Sequence, residues 1–315
     1  MKVKLMGGGV DFKIPNVSYC NDVNDVHFNP YNLIEFYVGD ITGTTPQTVK
    51  IYTYSNTSVD VTVSEENKWY SYLLPKDKGL HHIGEQDVFD VGNNNIIKKV
   101  IVKANISYDK DTVFDSLYSV ISKSTVEASF KGSNTSKVTT MYQMFNGCSG
   151  LTSLDLSGFD TSNVTSMSEM FITCKSLTSL DLSGFNTIKV TDMGSMFHDC
   201  MSLTSLDLSS FDTSNVKDMN SMFNGCSNLT SLDLSNFNTS NVTNMSDMFN
   251  TCSNLAELDL SNLNTSNVTN MVDMFNGCTS LRTITMVGCS KETRTKIEEA
   301  LTAAGIKGNV TIIPT

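Results

Sequence analysis

Between Met141 and Met286 the apolar positions of the chain recur with a fixed spacing of 26 residues. Met-x-x-Met-Phe begins at Met141, Met167, Met193, Met219, Met245 and Met271, with no insertion or deletion between copies. A Cys follows seven residues after each first Met, and then Leu-x-x-Leu-x-Leu or a close variant, mostly with Asp between the last two Leu. A fixed period in this range predicts a solenoid. No copy can bury its own apolar residues, so stacking supplies the core.

Two rhythms alternate inside each copy. In the copy that begins at Met167, Leu180 and Leu182 are two apart, which places both on the inward face of a short strand, and Phe185 returns to the core. Val190, Met193, Met196, Phe197 and Cys200 are spaced by three or four, which predicts about two turns of helix. Thr140, Ser166, Asp192, Asp218, Asn244 and Asn270 precede the first Met, and all are good N-cap residues. Thr140 with Gln143, and Ser166 with Glu169, have the spacing of capping boxes. Gly147, Gly225 and Gly277 stand where such a helix would end with a positive φ. The expected unit is one strand, a turn and one short helix.

Both ends of the stack carry cap signals. Ala128, Phe130, Thr135 and Val138 occupy the positions of a degenerate first repeat, and Asp109–Ser122 before it has helical spacing at Val113, Leu117, Val120 and Ile121. At the other end Lys291–Ala304 reads as a polar-faced helix with Ile297, Leu301 and Ala304 as its stripe, stopped at Gly305. A last strand is expected over Val310–Ile313. Capping is required because an open solenoid end exposes core and an unpaired edge.

The run Met-Tyr-Gln-Met-Phe-Asn-Gly-Cys-Ser-Gly-Leu-Thr-Ser-Leu-Asp-Leu-Ser-Gly-Phe-Asp-Thr-Ser-Asn-Val, from Met141 to Val164, resembles the leucine-rich repeat, and more closely its BspA-like subclass. The likeness extends over roughly Val126 to Met286, about half of the chain. It implies a protein of the kind found on the surfaces of bacteria and some protists, often adhesive. The family defines no catalytic residues, so none is carried over.

Residues 1–107 have a different texture. Val10–Ile14, Leu33–Val38, Val49–Tyr54, Val59–Val63, Lys68–Leu74 and Ile96–Val102 are short runs rich in Val, Ile, Tyr and Phe, punctuated by Gly, Asn, Asp and Pro. Thr48–Tyr54 and Ser58–Val63 alternate apolar and polar. The expectation is an all-β, sandwich-like anchor or spacer domain. The predicted organisation is therefore an α/β leucine-rich repeat solenoid over 108–315, preceded by a β-rich domain over 1–107. Within the solenoid, 108–140 form the N-terminal cap, 141–286 the repeats and 287–315 the C-terminal cap.

Charge narrows the choice of partner. Of the formal net charge of −11, the residues up to Ser124 carry −3 and the remainder −8. An acidic repeat surface repels nucleic-acid phosphates and anionic membranes, so neither is an expected partner. No run is long and apolar enough to span a bilayer, and the opening Met1–Gly9 does not read as a signal peptide. Relatives of the repeat work outside cells. The chain then stays in the cytoplasm, has lost a signal, or leaves by another route; an exposed cell surface or a phage virion, released by lysis, is the expected location.

Candidate chemistry is sparse. Cys148, Cys174, Cys200, Cys226, Cys252 and Cys278 share one repeat position, which predicts a ladder of buried free thiols; one Cys per coil lacks the close ligand pairs of zinc sites. Asp155, Asp181, Asp207, Asp233 and Asp259 lie between inward Leu residues, so they point outward as a row of like charges. Hydroxyls, Lys or a cation such as calcium could offset that repulsion. Asn163, Asn215, Asn241 and Asn267 form a second row, interrupted by Lys189, suited to satisfying turns rather than to glycosylation. His81 and His82 near Glu85 and Asp87 make a weak metal pattern, His27 and His198 are isolated, and Gly7–Gly9 lacks a phosphate-loop context. No catalytic set, cofactor or metal is expected. The reading is a non-enzymatic binding protein whose aspartate face meets a protein or glycan ligand. The alternative is a virion component whose β domain docks among neighbouring virion proteins.

Overall fold

A computed structural model describes residues 32–39, 47–52, 58–63, 68–73, 80–81, 89–90, 97–104, 106–107 and 125–313. Residues 125–313 form a β-solenoid of stacked coils, one per repeat. Among the described residues, helix is confined to the C-terminal cap, so the expected helix in every repeat is replaced by something else.

The replacement is a run of turns. The third residue of every Met-x-x-Met-Phe copy is left-handed: Gln143 and Glu169 at φ 56°, Ser195 at 55°, Ser221 at 53°, Asp247 and Asp273 at 56°. Each such L-residue costs about 1–2 kcal/mol and interrupts any α-helix. The gain is a second set of hydrogen bonds. Phe145 N–H donates to Met170 O at 2.9 Å and Gly147 N–H to Ile172 O at 3.0 Å, both one coil on. The amides between them close local turns, as Asn146 N–H to Gln143 O at 2.9 Å. A helix of two turns is marginal in water. Here every second amide is tied to a neighbouring coil instead, while Met141, Met144, Phe145 and Cys148 still point inward and are fully buried. The three-and-four spacing of apolar residues is common to both conformations, which is why it suggested a helix.

The expected N-caps cap turns. Asp192 Oδ1 accepts the Gly194 N–H at 2.9 Å and Asp218 Oδ1 the Asn220 N–H at 2.8 Å, while the backbones of these positions pair as parallel bridges from Thr140 to Asn270. Gln143 does not reach back as a capping box would; its Nε2 donates to Glu169 Oε2 of the next coil at 2.6 Å. Gly147, Gly225 and Gly277 do take positive φ, between 74° and 76°, at a corner of the coil rather than at a helix end.

Aromatic and sulfur columns fill the interior. Phe145, Phe171, Phe197, Phe223, Phe249 and Phe275 stack with ring centroids 5.5–5.8 Å apart and planes within 12° of parallel. Stacked rings in this range add about 0.5–1.5 kcal/mol per pair beyond their burial. The Cys and Met columns run beside them, all but Met271 buried.

Strands occupy another side of the coil. We number the described strands β1 (Asn32–Val38), β2 (Gln47–Tyr52), β3 (Ser58–Val63), β4 (Lys68–Leu73), β5 (Leu80–His81), β6 (Phe89–Asp90), β7 (Ile97–Ala104), β8 (Ile106–Ser107), β9 (Glu127–Ser129), β10 (Ser153–Asp155), β11 (Ser231–Asp233), β12 (Glu257–Asp259), β13 (Thr283–Thr285) and β14 (Thr311–Ile313). β10 pairs with β9, and β11 through β14 pair in succession, all in parallel. Ser179–Asp181 and Ser205–Asp207 lie between these two sheets without strand pairing, and Leu180 and Leu206 are only partly buried where Leu154, Leu232 and Leu258 are buried.

The ends of the stack are closed differently. At the N-terminal end β7 pairs in parallel with β9, β1 and β4 extend the same sheet antiparallel, and the order is β10-β9-β7-β1-β4. This sheet crosses the boundary expected at 107/108. Val126 N–H donates to Lys98 O at 2.7 Å, and Lys99 Nζ meets Glu127 Oε2 at 2.9 Å. Phe36 and Val38 of β1 are fully buried in the same core as Phe130 and Val138. β2, β3 and β6 form a three-stranded sheet and β5 with β8 a two-stranded one. Val10–Ile14, the expected helix Asp109–Ser122 and the packing behind a sandwich arrangement lie outside the described residues. At the C-terminal end α1 (Lys291–Ala303) starts at Ser290, whose Oγ accepts the Thr293 N–H at 3.1 Å, buries Ile297 and Leu301, and stops before Gly305 at φ 72°.

Candidate ligand-binding face

The side of the coil bearing β10, β11 and β12 presents the predicted aspartate row. Ser153, Ser179, Ser205 and Ser231 are exposed beside it, as are Thr152, Thr178, Thr204 and Thr230. Asp181, Asp207 and Asp233 are exposed; Asp155 and Asp259 are half-buried. In the β11–β12 pair Asp233 stands directly opposite Asp259.

Each carboxylate is stabilised from within its own coil. Oδ1 of Asp155, Asp181, Asp207, Asp233 and Asp259 accepts the backbone N–H two residues on, from Ser157, Ser183, Ser209, Ser235 and Ser261, at 2.8–3.0 Å. The N–H of Ser157 and its hydroxyl, then the hydroxyl of Ser129 at 3.2 Å, hold Asp155 below the usual carboxylate range. The Ser183 hydroxyl and N–H do the same for Asp181, and the Ser209 N–H and hydroxyl for Asp207. Like charge from Asp155 and Asp207 pushes Asp181 the other way and is outweighed. At Asp155, Asp181 and Asp207 fixed donors thus favour the charged carboxylate and offset cross-coil repulsion. Among the described residues no cluster of three His, Cys, Asp or Glu could hold a metal.

Two further rows escaped the sequence reading. Asp160, Asn186, Asp212, Asn238 and Asn264 follow each inward Phe or Leu263 and form the same turn, with Oδ1 accepting the N–H two residues on. The Ser162 hydroxyl and N–H lower the Asp160 pKa, and those of Ser214 lower that of Asp212. Next to them runs a buried Thr column. Thr161 Oγ1 donates to Asn186 O at 3.0 Å and accepts the Asn186 N–H at 2.7 Å, and the pattern recurs at Thr135, Thr187, Thr213 and Thr239. The recurrence of Asp/Asn-Thr in the sequence was the available signal.

The Asn row behaves as expected. Nδ2 of Asn163, Asn215, Asn241 and Asn267 donates to a carbonyl of the previous coil at 2.6–2.9 Å, and Lys189 Nζ reaches Asn163 Oδ1 at 2.8 Å. The cysteines of the ladder, and Cys289, are buried free thiols. Sγ of Cys174, Cys200, Cys226, Cys252 and Cys278 donates to the Phe carbonyl of the preceding coil at 3.0–3.2 Å. Burial pushes Cys174, Cys226 and Cys278 up to about 12, and Cys200 and Cys252 well above their ordinary value. His198 is partly buried, and its ring lies 4.0 Å from Asp199. His27, His82, Glu85, Asp87 and Gly7–Gly9 lie outside the described residues, and so do the side-chain surroundings of His81. No helix among the described residues is long and apolar enough to cross a membrane.

A family model described as "Mycoplasma protein of unknown function, DUF285" matches residues 114–227 and again 202–295. No curated protein matches the chain.

Proposed function

Because this chain belongs to the DUF285 family, a repeat family without an assigned activity, we propose from its own surface that it is a non-enzymatic, BspA-like binding protein whose aspartate face engages a protein or glycan ligand outside the cell. The observation that carries this reading is the row Asp155, Asp181, Asp207, Asp233 and Asp259, fixed by turn N–H groups and flanked by exposed Ser and Thr. Carboxylates held in place lose little entropy on binding, and their free oxygens accept hydrogen bonds from sugar hydroxyls or from Lys and Arg of a protein. A surface of exposed hydroxyls and carboxylates, repeated coil after coil, suits an extended or repetitive ligand.

The test replaces Asp181, Asp207 and Asp233 together by Asn, which keeps the Oδ1 turn acceptor and removes the charge. Binding to a glycan array and to immobilised host-surface proteins is then compared with the parent chain. Binding by the parent that is lost in the triple variant is the expected result. Equal binding by both, or none by the parent, overturns the reading.

A further inference from the structure

Along the Met-x-x-Met-Phe run the hydrogen bonds between coils go one way, each N–H donating to the following coil, while the Thr165, Thr191, Lys217, Thr243 and Thr269 N–H groups beside it donate back to the preceding one. Met141 N–H donates to Ser166 O, Met167 N–H to Asp192 O, Met193 N–H to Asp218 O, Met219 N–H to Asn244 O and Met245 N–H to Asn270 O, at 2.8–3.1 Å. The carbonyl that accepts and the N–H that donates onward belong to one peptide unit, so the peptides form a continuous column along the stack. Three more columns of five bonds start at Gln143, Phe145 and Gly147. Their dipoles add as those of an α-helix do, with the N–H end at the last coil.

These columns end open. Among the described residues the N–H groups of Met271, Asp273, Phe275 and Gly277 have no acceptor. The amides between them are used locally, Val272 by Asn270 Oδ1 and Met274 by Met271 O. The C-terminal cap does not reach this side. α1 lies against Thr265 and Val268 through Lys296, and β14 covers β13. The open edge also changes composition. Where inner coils have Ser168, Gly194, Asn220 and Ser246 after the first Met, the last coil has Val272, 65% exposed, and its Met271 is only partly buried.

We propose that the edge Met271–Gly277 is a docking surface for a further coil of the same repeat type, carried by a second polypeptide. The edge continues an interface that already recurs between all the coils from Met141 to Gly277. Its chemistry excludes other occupants. The same edge of a second copy would set donors against donors. An ordinary strand edge alternates N–H with C=O, so half of its groups would face donors. The carboxylate of Asp273, exposed beside the row, repels a phosphate or other anion. An edge presenting carbonyls only, which is the opposite side of such a coil, satisfies all four N–H groups and covers Val272.

The test uses the full chain labelled for amide NMR and, as probe, a synthetic peptide with the sequence of residues 241–256, against a scrambled control. Selective shifts and slowed exchange at the amides of Met271, Asp273, Phe275 and Gly277, absent with the scrambled peptide and lost in Val272→Glu, are the expected result. Protection of the same four amides that rises with protein concentration, without peptide, would identify a second copy as the source of the coil. Four amides unchanged by the peptide and by concentration, or shifts equal with the scrambled control, overturn the proposal. Val272 is exposed, so the variant leaves the core intact, and unchanged amides elsewhere verify that.

Discussion

The hydroxyl of Thr187 donates to the carbonyl of Asp212 at 2.8 Å and accepts the N–H of the same residue at 2.8 Å. One buried side chain therefore satisfies both backbone groups of a residue in the next coil. Thr187→Val has nearly the same shape and satisfies neither. An unsatisfied buried group costs about 1–3 kcal/mol, so a loss of roughly 2–5 kcal/mol is expected, measured as a shift in the urea midpoint. Thr187→Ser, which retains the hydroxyl, is expected to lose far less.

A sign test separates turns from a helix in the repeat. Ser221 is left-handed at φ 53°. Ser221→Gly removes the steric penalty of that conformation and is expected to stabilise by about 1 kcal/mol. In a helix interior the same change would destabilise by several tenths of a kcal/mol. Thermal unfolding of the single variant decides, and a lowered Tm would count against the turn geometry.

Asp192 gives the stack a pH dependence. Burial raises its pKa, and like charge from Asp218 and Glu169 raises it further, against the Gly194 N–H. With the folded pKa above the unfolded value, its contribution is fully present below the unfolded pKa of 3.8 and is lost as pH rises through the folded pKa. Asp155, Asp181 and Asp207 act in the opposite sense: their pKa values are depressed, and their contribution is lost as pH falls below the ordinary carboxylate range. Asp192→Asn keeps the turn acceptor, as Asn244 and Asn270 do in their own coils. It is expected to stabilise the chain at neutral pH, with the gain vanishing in acid. A gain of equal size at both pH values would show that the carboxylate charge is not the cause.

The thiol ladder is expected to be silent. Buried thiols with pKa values near 12 present almost no thiolate at pH 8, so Cys174, Cys226 and Cys278 should resist an aromatic disulfide reagent in the folded chain. In denaturant without reductant all 8 cysteines of the sequence should react. Fast reaction of the native protein at the ladder positions, located by mass spectrometry, would contradict the burial.

The period, the C-terminal cap helix and the inward residues were legible because burial follows spacing. Ile297 and Leu301 of α1, and Ala128 and Phe130 of the degenerate first coil, are buried as expected. The conformation of Met141–Cys148 was not legible. Inward residues spaced by three and four fit a helix and also this run of turns, and the difference lies in where the amides of Phe145 and Gly147 donate. The aspartate row and the hydroxyls beside it were visible, but the turn N–H groups of Ser157 and Ser183 were not, because they depend on a backbone conformation that the spacing does not specify. The Thr column was overlooked because a Thr that is buried for backbone satisfaction looks like any other hydroxyl in a Ser/Thr-rich chain.

The bonds between coils lie along the stack, so pulling the ends apart loads them lengthwise. Each coil holds 26 residues and touches only its neighbours. A coil that peels away releases up to about 90 Å of slack, at roughly 3.3–3.6 Å per extended residue. Neighbouring coils remain closed by their own four columns. Under tension such a stack yields in equal steps and lengthens before it lets go, which is the mechanical behaviour of a shock-absorbing tether.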